Sequence, residues 1–560
     1  MGVTGKAPVP DPPRYPASLS VLLAAVAAGC GLCLAHLPLI RAEALYALIP
    51  REMLASGEWL TPTLQGVPYL DKPPLLYWLN ALVFFLLGAR EETARLVNLP
   101  LALGEVGLTC LLGARLLPVR AAVAGAGVLA GSLGFFVLHL ELLPDHLITF
   151  WLLAGLYLWL RWRAAPGRLW ETGFYLSLAG GFFSKGLIGL LFPVAIVALN
   201  ALATGRREDL ALLASPRGWL LLALPVLSWL TLMELRHPGF LEHQVLNEQF
   251  RRFWGARQPP DVNSFSLGGF WLLTLLWLLP WTPLVPGALA TGWRAGSDSR
   301  LLLIWPAVIL GFYSLSGCRV EYYALPALPP LALLVGRRLA EGLSGGRDRL
   351  LSLTLLSLAA LALLSRLALP SLEALLAANR REFAHLTAAL APLLPRATAA
   401  LAAWGLAGAL LGYGRPRWAG FFLGGLAVTL LAVSFQALVA LSPYLCDRDP
   451  GQWLKSRAGP GDLVVLETVE EYEYAASLAW YGGHRVMIVR RGGWPRFPRP
   501  VAPGADYLIP PELLEELWRG PGRVFVLVEE GTPEQAPWQG AAPVFTSPGR
   551  RVYVNRPGPE

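Results

Sequence analysis

From residue 18 the chain is a succession of apolar runs separated by short polar connections. Thirteen of these runs approach the length that spans a bilayer, near 18–38, 96–114, 121–140, 146–162, 168–183, 186–204, 217–235, 267–290, 300–316, 322–341, 350–370, 397–413 and 418–441. About 17 to 25 apolar residues suffice for a membrane helix, and breaks at Gly or Pro are tolerated inside a helix bundle. The polar, Pro-rich stretch before the first run is too long and too weakly basic for a secretory signal. From about Ser442 the rhythm changes. Asp462–Thr468, His484–Arg490, Arg523–Glu529 and Arg551–Asn555 read as strands, while Gln452–Arg457, Glu470–Tyr481 and Pro511–Trp518 read as helices. The fold class expected is an all-α polytopic membrane protein with a small C-terminal α/β domain. No fixed-period repeat suggests a solenoid.

One apolar segment, Leu75 to Ala89, is only 15 residues long, and its status sets the orientation of everything after it. Charge decides. If it lies flat on the membrane and the N-terminus is inside, six successive even-numbered connections are cytoplasmic. They carry Arg115 and Arg120; Arg161, Arg163 and Arg168; Arg206, Arg207 and Arg217; Arg294 and Arg300; Arg337, Arg338, Arg347 and Arg349; and Arg415 and Arg417. That is the positive-inside pattern repeated six times. The expected division is a cytoplasmic tail over 1–17, a transmembrane domain over 18–441 and an extracytoplasmic α/β domain over 442–560. The transmembrane part holds a first outer loop at 39–74 and an interfacial helix at 75–89. This places the longer loops on the extracytoplasmic side of the membrane.

Composition agrees with this map. Of 560 residues, 55% are hydrophobic and only 15% charged, against about 25% charged in soluble domains. A soluble enzyme, a disordered chain and a secreted disulfide scaffold are excluded. The net charge of +8 follows from the cytoplasmic Arg groups, so no nucleic-acid partner is expected. The five Cys are scattered, and the Cys30–Cys33 pair reads as apolar filler.

The few charges on the outer side form a different set. The first loop carries Glu43, Arg51, Glu52, Glu58, Asp71 and Lys72. Asp145 follows the third run, Lys185 sits in FFSKGLIG, and Glu248, Arg251 and Arg252 fall in one loop. Arg319, Glu321, Tyr322 and Tyr323 fall in the last. Only four Lys occur in the chain, two of them Lys72 and Lys185. Basic groups beside carboxylates at the edge of an apolar bundle suit a lipid phosphate. Lys binds it as a point charge and Arg as a fork, while a carboxylate can activate a hydroxyl acceptor. Simpler readings stand beside these. Arg51, Glu52 and Glu58 read as solvated helix charges, Asp71–Lys72 as a surface pair, and Lys185 as a snorkelling side chain. Asp145 can cap the helix after it. His36, His139 and His146 lack metal-ligand spacing and read as packed or interfacial.

The stretch REMLASGEWLTPTLQGVPYLDKPPLLYW resembles the first outer loop of the bacterial aminoarabinose (lipid A) transferases. It also resembles the wider protein O-mannosyltransferase-like group of lipid-carrier-dependent glycosyltransferases, of GT-C fold. The resemblance continues through the Asp145 segment, Ser184-Lys185-Gly186, NEQFRRF, LPWTPLVPGAL and Tyr323–Pro326. It implies transfer of a sugar from a polyprenyl (undecaprenyl) phosphate to an acceptor outside the membrane, usually with inversion. The acceptor would be a lipid such as lipid A, another glycan or a protein hydroxyl. It also implies that Lys72, Arg252 and Tyr323 hold the carrier phosphate and that Asp145 lines the sugar or acceptor pocket. Asp71, Lys185, Glu248 and Arg319 are further substrate-binding candidates.

The sequence departs from the family at three points. Ala42 replaces the usual Asp of the first loop, leaving Glu43, or else Asp145, as the catalytic carboxylate that activates or orients the acceptor. Gln249 replaces the His of a common Glu-His pair, and Arg319 replaces a Lys. No cofactor is required by the pattern, a divalent metal being the one open possibility. A transporter of lipid-linked sugar is the alternative reading, and a non-catalytic assembly subunit a third. A transporter would place ionisable groups near the midplane, whereas here they gather at one edge.

Overall fold

The apolar runs fold as helices almost one for one. The computed structural model describes residues 17–34, 36–258, 264–294, 296–344, 349–377, 385–467, 475–489, 508–529 and 537–556. The expected N-terminal tail therefore lies outside the described residues, apart from Ala17. Nine of the runs correspond to single unbroken helices, among them Asn98–Leu116, Pro144–Ala164, Arg168–Lys185 and Ile188–Thr204, and the run at 322–341 is a 3-10 stretch, Glu321–Ala327, continuing into Leu328–Ser344. Three others are bent: Val119–Ala130 with Leu133–His139 at 55°, Leu267–Trp277 with Thr282–Arg294 at 101°, and Arg349–Ser365 with Leu367–Leu375 at 74°. Five described helices are long and apolar enough to cross a membrane, or eight if each of three bent pairs is one span. The expected thirteen is not reached on that criterion, since apolar helices such as Ile188–Thr204 and Ser299–Leu315 are shorter. The protein is a multi-pass membrane protein.

Helices meet closely where side chains are absent. A Cβ on Gly336 would lie 2.1 Å from the backbone nitrogen of Gly125. Val119–Ala130 and Leu328–Ser344 therefore touch backbone to backbone, the packing that small residues allow in a bundle. The ambiguous segment forms a helix over Leu75–Leu87. Its 13 residues reach about 20 Å, less than the roughly 30 Å hydrocarbon core. Leu76, Tyr77, Ala81 and Phe84 face the protein, while Leu82, Phe85, Leu86 and Leu87 are exposed. Such a helix suits a membrane surface.

After Pro416–Leu445 the chain builds a six-stranded sheet in the order Leu508–Ile509, Val486–Val489, Leu463–Glu467, Val524–Glu529, Arg550–Val554, Phe545–Ser547. The first four strands are parallel and the last two run antiparallel. Strand alternation divides the sheet's contacts. Val464, Leu466, Phe525 and Leu527 join the core that continues into the helices, whereas Val465, Val524, Val526 and Val528 pack with Leu514 and Trp538 on the other face. The expected helix at 470–481 is seen over Ala475–Gly482, its first residues lying outside the described ones.

This sheet unit is stitched to the first loop. Tyr481 Oη accepts from the Leu39 amide at 2.7 Å, and Gln65 Oε1 accepts from the Val486 amide at 2.7 Å. The Arg51 guanidinium lies 4.6 Å over the Trp480 ring. The expectation that Arg51, Glu52 and Glu58 are solvated is thereby corrected. Glu52 accepts from Thr63 Oγ1 and from the amides of Gln65 and Gly66, holding the short hairpin Thr63–Leu64/Val67–Pro68. Glu58 accepts from the Leu60 and Thr61 amides and pairs with Arg236.

Candidate active site

Two prolines follow Asp71-Lys72, and Pro cannot donate to a ladder or enter a helix interior freely. The chain therefore leaves the hairpin as an irregular turn before Leu75–Leu87, holding both side chains at the bundle's edge. Facing them is Glu242–Arg251, wound as a π-helix, a geometry frequent at functional sites. Its buried face carries Gln244, Asn247 and Glu248.

These elements bring together charges far apart in sequence. Glu248, 4% exposed, takes Lys72 Nζ at 3.1 Å and Arg252 Nη1 at 3.1 Å on one oxygen, and Arg257 Nε at 2.5 Å on the other. Arg257 also reaches Asp71 at 3.0 Å, whose second oxygen lies 2.6 Å from His243 Nε2. Burial would raise the Asp71 carboxyl, but His243, Arg257 and Lys72 hold it well below the usual carboxylate range. Glu248 is lowered too: burial opposes ionisation, and Lys72, Arg257 and Arg252 overcome it against Asp71. His243 is raised, because its bond to Asp71 outweighs burial.

A second pair adjoins the first. Lys185 Nζ, at the end of Arg168–Lys185, meets Asp145 Oδ1 at 2.5 Å. The same ammonium lies 4.5 Å over the Tyr323 ring and 5.0 Å over Tyr322. Tyr323 stacks on Tyr313 with ring centroids 4.3 Å apart. Asp145 Oδ2 is buried with no hydrogen-bond partner. The helix Pro144–Ala164 is capped by Leu143, so Asp145 is not its N-cap and spends one oxygen on Lys185 instead. A small cavity of about 50 Å³ is lined by Lys72, Lys185, Glu248, Arg252 and Tyr323. It adjoins an apolar cavity of about 560 Å³ walled by Leu187, Leu191, Val194, Trp219, Phe250 and Trp254. Ile188, Gln249, Phe253 and Phe312 line both.

Lys72, Arg252, Tyr323, Lys185, Glu248, Asp71 and Asp145, all expected from the sequence, thus converge. Two expected residues do not join them. Arg319 braces a loop: its side chain donates to Ser316 O, and its carbonyl accepts from the Phe265 amide. Glu43 is sealed at 1% exposure against Arg95, with contacts of 2.7 and 2.6 Å, and also accepts from the Ile40 and Leu142 amides. Both Glu43 oxygens are committed, so this geometry offers it no acceptor proton to take. Arg95, Arg257 and His243 were not singled out from the sequence. Only the general scarcity of charge pointed toward them.

The possible divalent metal was tested against Asp71, His243 and Glu248, whose ligand atoms lie within 4.8 Å of one another. Each carboxylate oxygen there already points at a cationic side chain or His243. A metal would have to displace Arg257, so these residues do not fit one.

The dolichyl-phosphate-mannose-protein mannosyltransferase family model matches residues 71–230. The undecaprenyl phosphate-alpha-4-amino-4-deoxy-L-arabinose arabinosyl transferase of Pectobacterium carotovorum subsp. carotovorum (strain PC1) is 32% identical over 324 residues, 55% of this chain and 56% of that protein. Its counterpart from Pseudomonas aeruginosa (strain UCBPP-PA14) is 32% identical over 351 residues, 58% and 61% of the two chains. The match thus spans little more than half the length of these curated relatives. Among solved structures, ArnT from Cupriavidus metallidurans bound to undecaprenyl phosphate superposes with a TM-score of 0.78 at 22% identity, covering 97% of this chain and 100% of that one. The apo form of the same protein gives 0.76 at 20% identity, covering 97% and 99%. In sequence and in fold alike, the chain is similar to the aminoarabinose transferase and protein mannosyltransferase-like group of GT-C fold that its first loop already resembled.

Proposed function

We propose that the protein is a membrane glycosyltransferase that moves a sugar from a polyprenyl phosphate carrier to an acceptor on the outer side of a bacterial inner membrane. One observation carries this reading: a cationic recess adjoins an apolar cavity across a shared wall. The pair matches an amphiphile with a phosphate head and a long hydrocarbon tail. Around the recess Lys72, Arg252 and Arg257 stand against Asp71 and Glu248, an excess of positive charge that suits an anion. The printed names of the relatives and the carrier bound to ArnT support the same chemistry.

In this mechanism the acceptor oxygen attacks the anomeric carbon as the bond from that carbon to the carrier phosphate oxygen breaks. The acceptor proton passes to Asp145 through the oxygen that Lys185 leaves open. The departing phosphate keeps the bonding electrons, and Lys72 and Arg252 stabilise its growing charge, with Tyr323 beside them. Such preorganised electrostatic contacts usually supply the largest share of catalysis. The domain division at 17/18 and 441/442 belongs to the same proposal. So does the orientation with the sheet unit and active site outward, which rests on the Arg distribution.

The test is mass spectrometry of envelope lipids and glycoproteins from a deletion strain. One sugar modification is expected to vanish, and to return with the intact gene but not with Lys72→Ala. An unchanged envelope would sink the proposal.

A further inference from the structure

A second group of polar side chains, unused by the proposed reaction, meets inside the bundle next to the turn that presents Asp145. Glu105 lies midway along Asn98–Leu116, His139 ends Leu133–His139, and His146 sits in the first turn of Pro144–Ala164. All three are essentially fully buried. The two imidazole rings are 4.0 Å apart.

Their hydrogen bonds fix which nitrogens carry protons. His139 Nδ1 is 2.7 Å from Phe135 O, and His146 Nε2 is 2.8 Å from Leu138 O and 3.2 Å from Glu141 O. A carbonyl oxygen only accepts, so these nitrogens donate. In the neutral rings His139 Nε2 and His146 Nδ1 are then bare lone pairs. Both are buried without a hydrogen-bond partner, as are both oxygens of Glu105. With Glu105 ionised, acceptors face acceptors, His139 Nε2 lying 3.4 Å from Glu105 Oε1. A buried carboxylate needs a compensating positive charge or donor, and a cation bound among these lone pairs would supply it.

We propose that Glu105, His139 and His146 bind a divalent transition-metal ion of the zinc type. Two imidazoles and a carboxylate are ligands such an ion accepts. The three ligand atoms lie within 4.8 Å of one another. Tetrahedral bonds of about 2.0–2.1 Å set ligand atoms about 3.3 Å apart, close to the His139–Glu105 separation. Each imidazole donates its other N–H to a backbone carbonyl, the outer contact that orients metal-bound histidines. The bound ion ties three helices together and fixes His146, and with it the neighbouring Asp145. His139 and His146 are packed as expected, and the proposal adds a ligand role to that packing. Their partner Glu105 comes from another helix, and no local spacing reveals it.

The experiment uses the full chain purified in detergent, with bound metal measured by elemental mass spectrometry and its ligands by X-ray absorption at the metal edge. About one zinc-type ion per chain is expected, with two imidazoles among its ligands. Glu105→Gln should lower retention at least tenfold, whereas Asp71→Asn at the other cluster should leave it unchanged. If the variant fails to fold, the absorption spectrum of the unaltered protein decides, because the Asp71–His243–Glu248 group offers only one imidazole. Folded protein without metal, metal with fewer than two imidazoles, or metal retained in folded Glu105→Gln would each overturn the proposal. None of these readouts depends on sugar transfer, so the two proposals stand or fall separately.

Discussion

Two buried carboxylate–cation pairs lie close together in the fold, and they are built differently. Glu43 and Arg95 meet as a two-pronged fork; Arg95 also donates to Leu37 O and Pro38 O, and Glu43 receives two amides. Every strong polar direction on the carboxylate is occupied. Asp145 and Lys185 meet through a single oxygen, and the other Asp145 oxygen has no hydrogen-bond partner. The first pair closes the entrance to a helix, whereas the second keeps an acceptor in reserve beside the cationic recess. Burial alone does not mark a reactive carboxylate. An oxygen left over beside the cationic recess, as on Asp145, does.

Replacing Asp145 gives the largest expected effect. Asp145→Asn preserves the shape but removes the base, and transfer in proteoliposomes should fall about 10²–10⁴-fold, the usual worth of a positioned base. Stability should fall as well, because Lys185 is left buried without its carboxylate, so transfer is scored per folded protein. Full activity in this variant would erase the distinction between the two pairs. Glu43→Gln should leave transfer intact while costing about 3–5 kcal/mol of stability, because Arg95 is left buried and uncompensated. Denaturant unfolding in detergent measures that loss, and the protein that remains folded should turn over normally. A large fall in kcat with unchanged stability would return Glu43 to the chemistry.

Arg257→Lys addresses the neighbouring network. One guanidinium spans Asp71 and Glu248, which a single ammonium cannot reproduce. KM for the lipid donor should rise about tenfold, the size of one lost charged hydrogen bond, with kcat little changed. An unaltered KM would show that Arg257 does not shape the recess.

The smallest effect is in pH. His243 is raised by Asp71, so its stabilising contribution is complete below the unfolded value of about 6.5. It is lost as pH rises through the folded value. Asp71 is lowered, so its contribution is complete above its unfolded value of about 3.9 and lost as pH falls. The midpoint of thermal unfolding should therefore decline on the alkaline side, and His243→Asn should flatten that decline. A decline that persists in the variant would assign it elsewhere.

Much of the architecture was legible because it depends on local pattern. The membrane runs follow apolar length. The four long strands of the sheet unit follow β-branched runs such as Leu463–Glu467 and Val524–Glu529. The grouping of Lys72, Arg252 and Tyr323 followed from the family resemblance of short motifs taken in order along the chain. Pairing across long separations was not legible. Arg95 finds Glu43 across 52 residues, and Arg257 finds Asp71 across 186. Neither choice leaves a trace in the neighbouring residues. Glu43 read as a catalytic candidate because its outer-loop position was visible and its partner was not. Glu52 read as solvated for the same reason, since the hairpin amides that it holds lie beyond its own helix.

The tie between Leu39 and Tyr481 has a consequence for biogenesis. The two groups are 442 residues apart. At the usual 5–20 residues per second of synthesis, roughly 20 to 90 s pass between the emergence of one and the other. Throughout that interval the hairpin that precedes Asp71-Lys72 must wait at the membrane surface without the sheet that later braces it. The order of synthesis thus makes this bracing one of the last events in the protein's maturation.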